Sequence, residues 1–267
     1  MSSCEDDYQK EDSQEAPLVV EGWIMEGEQP VVMVTHAIHL DRDTADFSNF
    51  IEKWGRVSIY DGDQQYFLTG HINNGYLPSL YFTTSRLTGK SGHTYRLKVE
   101  TEQGDAEAES TLIQSDVTLS IEAEPVDGSE SEYIIRAYAS DLIDNGYYKF
   151  YIKEVGKDKH FYPSFKGTFM GESFPKDGFV ISRMQRIQFD TDEENRFTHY
   201  FAAGDIVQVR LCRIPEELYE FWRIYDNSVA LGSNMLLTFI ENCPGNVEGA
   251  YGYWQASSST TRVIRIP

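Results

Sequence analysis

Short runs of alternating apolar and polar residues recur along this chain, each closed within about ten residues by a turn of Gly, Asn, Asp or Pro. That spacing commits the chain to packed β-strands. Residues 18–24 and 30–37 are rich in Val and separated by Glu26-Gly27-Glu28, which predicts a first hairpin. Residues 56–60 alternate, turn at Asp61-Gly62-Asp63 and return through 65–68, a second hairpin. Beyond the turn signals Asn73-Asn74-Gly75 and Gly89-Lys90-Ser91-Gly92 lie short strands at 80–82 and 94–100, the latter with Tyr95, Leu97 and Val99 on one face. Gln103-Gly104-Asp105 leads into a last strand at 106–112. About seven strands in about 95 residues is the density of an immunoglobulin-like sandwich.

The same grammar restarts at residues 117–121, turns at Asp127-Gly128-Ser129, and continues through 133–139 and 147–155. Strands are expected again at 179–184, 198–202, 206–211, 251–254 and 260–266. The chain therefore reads as all-β, two tandem immunoglobulin-like β-sandwich domains at 18–114 and 115–267, the second with a short helical insertion. One segment argues for helix, near residues 215–229. Pro215 suits a first turn, Glu216 and Glu217 complement the helix dipole, and Leu218, Trp222, Tyr225 and Val229 share a face. Between His160 and Phe179 the rings Phe161, Tyr162, Phe165, Phe169 and Phe174 crowd together among Gly and Pro, with neither a strand nor a helix period. Their faces could stack on a sugar, a peptide or a partner surface, or fill the core of a long sandwich connection.

Charge narrows the partners. With 23 Lys plus Arg against 43 Asp plus Glu, the net charge of −20 repels phosphate backbones, so nucleic acid is not an expected partner. No run reaches the roughly 18 apolar residues of a membrane-spanning helix. At the N-terminal end, however, Ser2-Ser3-Cys4-Glu5-Asp6-Asp7 reads like a bacterial lipoprotein N-terminus after signal-peptide cleavage, with Cys4 carrying the lipid. Residues 1–17 are acidic, polar and end in Pro17, the composition of a disordered tether. If Cys4 is acylated, Cys212 and Cys243 remain as an even pair, open to either a disulfide or two buried thiols.

Five stretches taken in order resemble a known family. They are Leu18-Val19-Val20-Glu21-Gly22-Trp23-Ile24, Gly92-His93-Thr94-Tyr95-Arg96-Leu97, Gly204-Asp205-Ile206-Val207-Gln208-Val209, Tyr219-Glu220-Phe221-Trp222, and Asn246-Val247-Glu248-Gly249-Ala250-Tyr251-Gly252-Tyr253-Trp254. Together they resemble a Bacteroidota outer-membrane lipoprotein family described only as a domain of unknown function, over about residues 18–267. The resemblance implies a lipid-anchored protein of the outer membrane, often encoded beside a TonB-dependent receptor, and so an accessory subunit of nutrient uptake with no assigned chemistry. An acidic run after the lipidated cysteine is similar to the signal for export to the outer face, which Glu5-Asp6-Asp7 fits. Ala250 stands where the family commonly has a second glycine, and Cys243 occupies a loop that usually lacks cysteine.

Chemical motifs do not override that reading. His36 and His39 would project to opposite faces of a strand, which argues against a metal pair. The acidic loops with Asp41 and Asp43, and with Asp190, Asp192 and Glu194, lack the glycine of an EF-hand loop. Gly171-Glu172-Ser173-Phe174-Pro175 lacks the closing glycine of a nucleophile elbow. No catalytic residue, metal ligand or cofactor is expected. The sequence points to a non-enzymatic surface lipoprotein that binds a TonB-dependent receptor, a small nutrient, glycan or peptide, or both. An adhesion or structural surface module, and a hydrolase with an unrecognised acidic site, stand as alternatives.

Overall fold

The computed structural model describes residues 17–37, 50–74, 78–129, 131–183, 198–230 and 245–267. The first half supplies β1 (Leu18–Met25), β2 (Val31–His36), β3 (Arg56–Asp61), β4 (Gln64–Phe67), β5 (Thr69–Ile72), β6 (Leu80–Thr83), β7 (Thr94–Thr101) and β8 (Gly104–Thr111). The second supplies β9 (Thr118–Pro125), β10 (Glu132–Ser140), β11 (Tyr147–Glu154), β12 (Tyr162–Met170), β13 (Phe179–Ile181), β14 (Phe201–Ala202) and β15 (Ile206–Ile214), then helix α1 (Tyr219–Ala230). Two further strands close the chain, β16 (Val247–Glu248) and β17 (Tyr251–Arg265). The fold is the expected all-β sandwich architecture with one α-helix among the described residues.

Alternation sets the faces. In β7, Tyr95, Leu97 and Val99 are buried while Thr94 and Arg96 face outward, and β8 answers with buried Ala106, Ala108 and Ser110. β16-β8-β7-β3-β4 form one five-stranded sheet. Its inner face meets Val20, Ile24, Val32, Val34 and Phe82 of the opposing sheet in a first core. In the second half, β9 and β10 with β13 and β14 present Leu119, Ile135, Ala137, Ile181 and Phe201 to Phe150, Ile152, Val207, Val209 and Leu211 in a second core. Each layer pair buries what its alternation marks as apolar.

The two sandwiches share a sheet. Its eight strands run β12-β11-β15-β17-β1-β2-β6-β5, so the layer that backs the first core continues without a break into the layer that backs the second. The joint is β17. Residues 251–257 pair with β1 in parallel, and residues 258–265 pair with β15 antiparallel. One face of this single strand carries Trp254 and Ala256 into the first core, passes the inter-sandwich link, and delivers Ile264 and Ile266 to the second.

This corrects the sequence reading in two places. Residues 251–254 and 260–266 are one strand, not two, because the small polar residues between them contact the link rather than solvent. Ser258 Oγ donates to the Ile113 carbonyl at 2.7 Å and Thr260 Oγ1 to the Val117 carbonyl at 2.9 Å. These hydroxyls satisfy backbone acceptors that burial would otherwise strand. The division at 114/115 likewise does not leave 115–267 as a self-contained second sandwich, since β16 and the first half of β17 complete the first.

Residues 160–179, read as lacking a period, contain β12, which pairs β11 with a register shift between Lys149 and Tyr151. That irregularity, beside a Lys166 backbone at φ 50°, breaks the alternation a period search needs.

Candidate functional site

The outer face of the shared sheet is where polar chemistry gathers. Each strand there sends alternate residues away from the cores: Lys149 and Tyr151 from β11, Cys212 from β15, Tyr253 and Gln255 from β17, Glu21 and Trp23 from β1. A helix covers them. Pro215 caps a single 3-10 turn, Glu216–Leu218, that leads into α1, so the helix starts four residues later than the sequence suggests. Leu218, Phe221 and Trp222 are buried and Tyr225 half-buried on the sheet, as the helical spacing requires; the Val229 side chain lies outside the described residues.

Two connected networks are buried beneath the helix. The Lys149 ammonium, with no exposed surface, bonds Asp226 Oδ1 and Thr168 Oγ1, both at 3.0 Å, while Asp226 Oδ2 accepts from the Thr168 N–H at 3.0 Å. Its Nζ also sits 4.9 Å from the Trp222 ring centroid and about 6 Å from those of Tyr151 and Tyr225. Beside it, Gln255 Oε1 accepts from Trp222 Nε1 at 2.9 Å and from the Tyr151 hydroxyl at 3.2 Å. A second tie crosses between the sandwiches, where Arg210 of β15 forks onto Glu28 of the β1–β2 turn and lies 3.8 Å from the Phe161 ring.

Burial dominates the electrostatics. It lowers the Lys149 pKa although Asp226 opposes the change, and it holds the Tyr151 and Tyr253 phenols well above their ordinary value. The Cys212 thiol is free, fully buried and pushed up to about 12, so it is a poor nucleophile at neutral pH. Lys149 is committed to Asp226 and Thr168. The arrangement is therefore a lock that fastens α1 across the shared sheet, with its donors spent on its own acceptors.

Half-buried Glu21 is the exception, because desolvation raises its pKa to about 7. A carboxyl whose folded pKa exceeds its unfolded value contributes full stability below about pH 4.5 and loses it as pH rises through about 7. Glu21→Gln should therefore match the wild type in urea unfolding at pH 4 and exceed it by about 1–2 kcal/mol at pH 8, once partial exposure is allowed for. Equal pH slopes for the two proteins would refute the assignment.

The ring-rich run is divided. Phe169 is buried in the second core and packs on Tyr148, Phe150, Phe174 and Phe179. Phe161 lies under Arg210, Tyr162 against His160 and Phe165 against His199. The five candidates do not converge on one surface, because β12 sends alternate residues to opposite faces and its irregularity redirects others. Cys4, Cys243, His39 and both acidic loops lie outside the described residues. Sequence reading missed Lys149, Asp226 and Gln255. A lysine inside an apolar strand and an acid four residues after Trp222 were the available signals.

Residues 5–263 match the profile of a family described as a domain of unknown function, DUF4249. The chain belongs to that family. No curated protein matches it. For a DUF4249 protein the geometry gives the five resemblance stretches a common place, since they fall in β1, β7, β15, α1 and the β16–β17 segment, four of which build the shared sheet or its helical cover. The last stretch has a specific cause. Asn246 exchanges two hydrogen bonds, both 2.9 Å, with the Trp254 backbone, and Gly252, at φ 107°, lies where any Cβ would stand 2.0 Å from the Val20 carbonyl oxygen.

Proposed function

We propose that this DUF4249 protein is a non-enzymatic lipoprotein of a Bacteroidota outer membrane, anchored through Cys4, displayed at the cell surface, and serving as an accessory or ligand-binding subunit of a TonB-dependent nutrient uptake system. The observation that carries the reading is the Cys4-Glu5-Asp6-Asp7 run ahead of a body that belongs to the family along nearly its whole length. The acyl chains hold the chain at the bilayer, each buried CH2 contributing about 0.8 kcal/mol. The body supports a binding role rather than a catalytic one, because the buried polar groups under α1 bond one another.

The partner is a TonB-dependent receptor, with a small nutrient, glycan or peptide as the ligand presented to it. The test uses the precursor with its native signal peptide, tagged at the C-terminus in its own host. Wild type should fractionate with the outer membrane and bring a receptor with it, and Cys4→Ala should move to the soluble fraction and lose that companion. Cys4→Ala protein that stays membrane-bound at the wild-type level would refute the anchor.

A further inference from the structure

Among the described residues the most exposed large apolar side chains, Trp54 at 87% and Ile72 at 80%, lie at one end of the first sandwich. That end is the one where the chain enters. Leu18 begins β1 opposite His36 of β2, and the Ala37 N–H donates to the Pro17 carbonyl at 2.8 Å. His36 Nε2 stands 3.2 Å from Glu52 Oε2, the Glu52 N–H donates to the Val34 carbonyl, and Glu52 Oε1 accepts from the Trp54 N–H at 2.7 Å. A continuous set of contacts thus ties Trp54 to Pro17.

Ile72 reaches the same end by register. β6 meets β2 at Phe82↔Val32, antiparallel, and β5 meets β6 through Gly70↔Phe82 and Ile72↔Leu80. Each step from Gly70 to Ile72 therefore moves in the direction of Val34 and His36. β4 and β5 run this way together. Leu68 between them is buried in the first core, and Phe67, half exposed, lies under the Arg56 guanidinium at 4.8 Å.

Cations stand beside the indole at this end. Exposed Lys53 and Arg56 bracket exposed Trp54, with Glu52 and Glu100 next to them and Arg56 Nε 3.8 Å from Glu100 Oε2. An amphipathic indole flanked by cations is the chemistry of a membrane–water interface, where rings sit at headgroup level and basic side chains meet lipid phosphate. Twelve residues lie between Cys4 and Pro17, and the thirteen steps from one to the other, fully extended, span at most ~45 Å. A tether that short holds its body near the bilayer at an effective concentration of order millimolar, where a weak second contact is populated.

We propose that Trp54 and Ile72, with Lys53 and Arg56 around them, form an interfacial contact that seats the chain-entry end of the first sandwich on the lipid surface. This rests on the Cys4 anchor for its biological setting. The contact orients the shared sheet and its helix cover away from the bilayer, toward a partner.

The test separates the two ideas by replacing the lipid with an N-terminal histidine tag. Full-length protein is captured on phosphatidylethanolamine/phosphatidylglycerol vesicles containing a nickel-chelating lipid, and tryptophan emission is read with and without brominated acyl chains. Trp222 and Trp254 are buried and half-buried Trp23 packs against the cluster under α1, so quenching should come chiefly from Trp54 and disappear in Trp54→Phe. Ile72→Asp should reduce it at least twofold, Val263→Ser should leave it unchanged, and Trp54→Ala/Ile72→Asp should leave the vesicles about fivefold faster in imidazole. All three sites are at the surface, and unchanged thermal melting verifies folding. Quenching that survives Trp54→Phe, or a Trp54-dependent dimer in solution that leaves Trp54 unquenched on vesicles, overturns the proposal. Absence of acyl mass on Cys4 in the native host would instead sink the anchor and leave the vesicle result standing.

Discussion

Replacing Asp226 with alanine should cost about 3–5 kcal/mol of unfolding free energy, because it strands the fully buried Lys149 ammonium without its counter-charge. The loss has three parts. Lys149 is left with Thr168 and the Trp222 ring, the Thr168 N–H loses its acceptor, and the inner face of α1 loses a charged attachment to the sheet beneath. The decisive control is Lys149→Met with Asp226→Leu, which removes both charges and keeps apolar volume. It should recover all but about 1 kcal/mol, since a buried ion pair stabilises little relative to well-packed hydrophobes. Urea unfolding of the two variants reads the difference directly. A single Asp226→Ala variant within about 0.5 kcal/mol of wild type would mean that α1 is not fastened through this pair.

Trp254→Ala should cost a comparable amount, about 3–5 kcal/mol, by opening a cavity at the joint of the two sandwiches. The indole is fully buried, donates from Nε1 to the Tyr95 carbonyl at 2.9 Å, and occupies space that Gly22 leaves open, where a Cβ would approach its ring to 2.8 Å. Its strand continues into the second core. Loss of Trp254 should therefore lower hydrogen-exchange protection in β15 and β10 as well as in β7, whereas sandwiches that were merely adjacent would confine the loss to β7 and its neighbours. Trp254→Phe, which keeps a ring but not the donor, should fall between, near 1–2 kcal/mol.

How far the sequence discloses this molecule depends on whether alternation survives locally. β7 is legible because Tyr95, Leu97 and Val99 face a core while their neighbours face water. β17 is not, because its residues 252–258 are buried on both faces, by the first core on one side and the cluster under α1 on the other, and Ser258 and Thr260 bond a passing link. A strand with no solvent face has no polar period. The helix face of Leu218 and Trp222 was readable, yet its partner Lys149 was not, since the pairing of residues 77 apart leaves no local trace. The same holds for the ring-rich run, whose composition left a binding surface and core packing both open. Register in β12 decides instead which ring meets which face, and register is set by β11 across the sheet. Trp54, by contrast, stood in plain sight between Lys53 and Arg56, but only the β1–β2 pairing places it beside the chain entry.

Under the proposed function this chain is a tethered body whose shared sheet and helical cover face a membrane partner. The measurement that tests this most directly is the ratio of receptor to lipoprotein in gently solubilised outer membranes of the native host, pulled through a C-terminal tag. A TonB-dependent receptor at near one-to-one stoichiometry, absent from the Cys4→Ala strain, is the predicted result. Recovery of the lipoprotein alone, from membranes in which other receptor complexes survive the same detergent, would contradict it and favour a surface adhesion module.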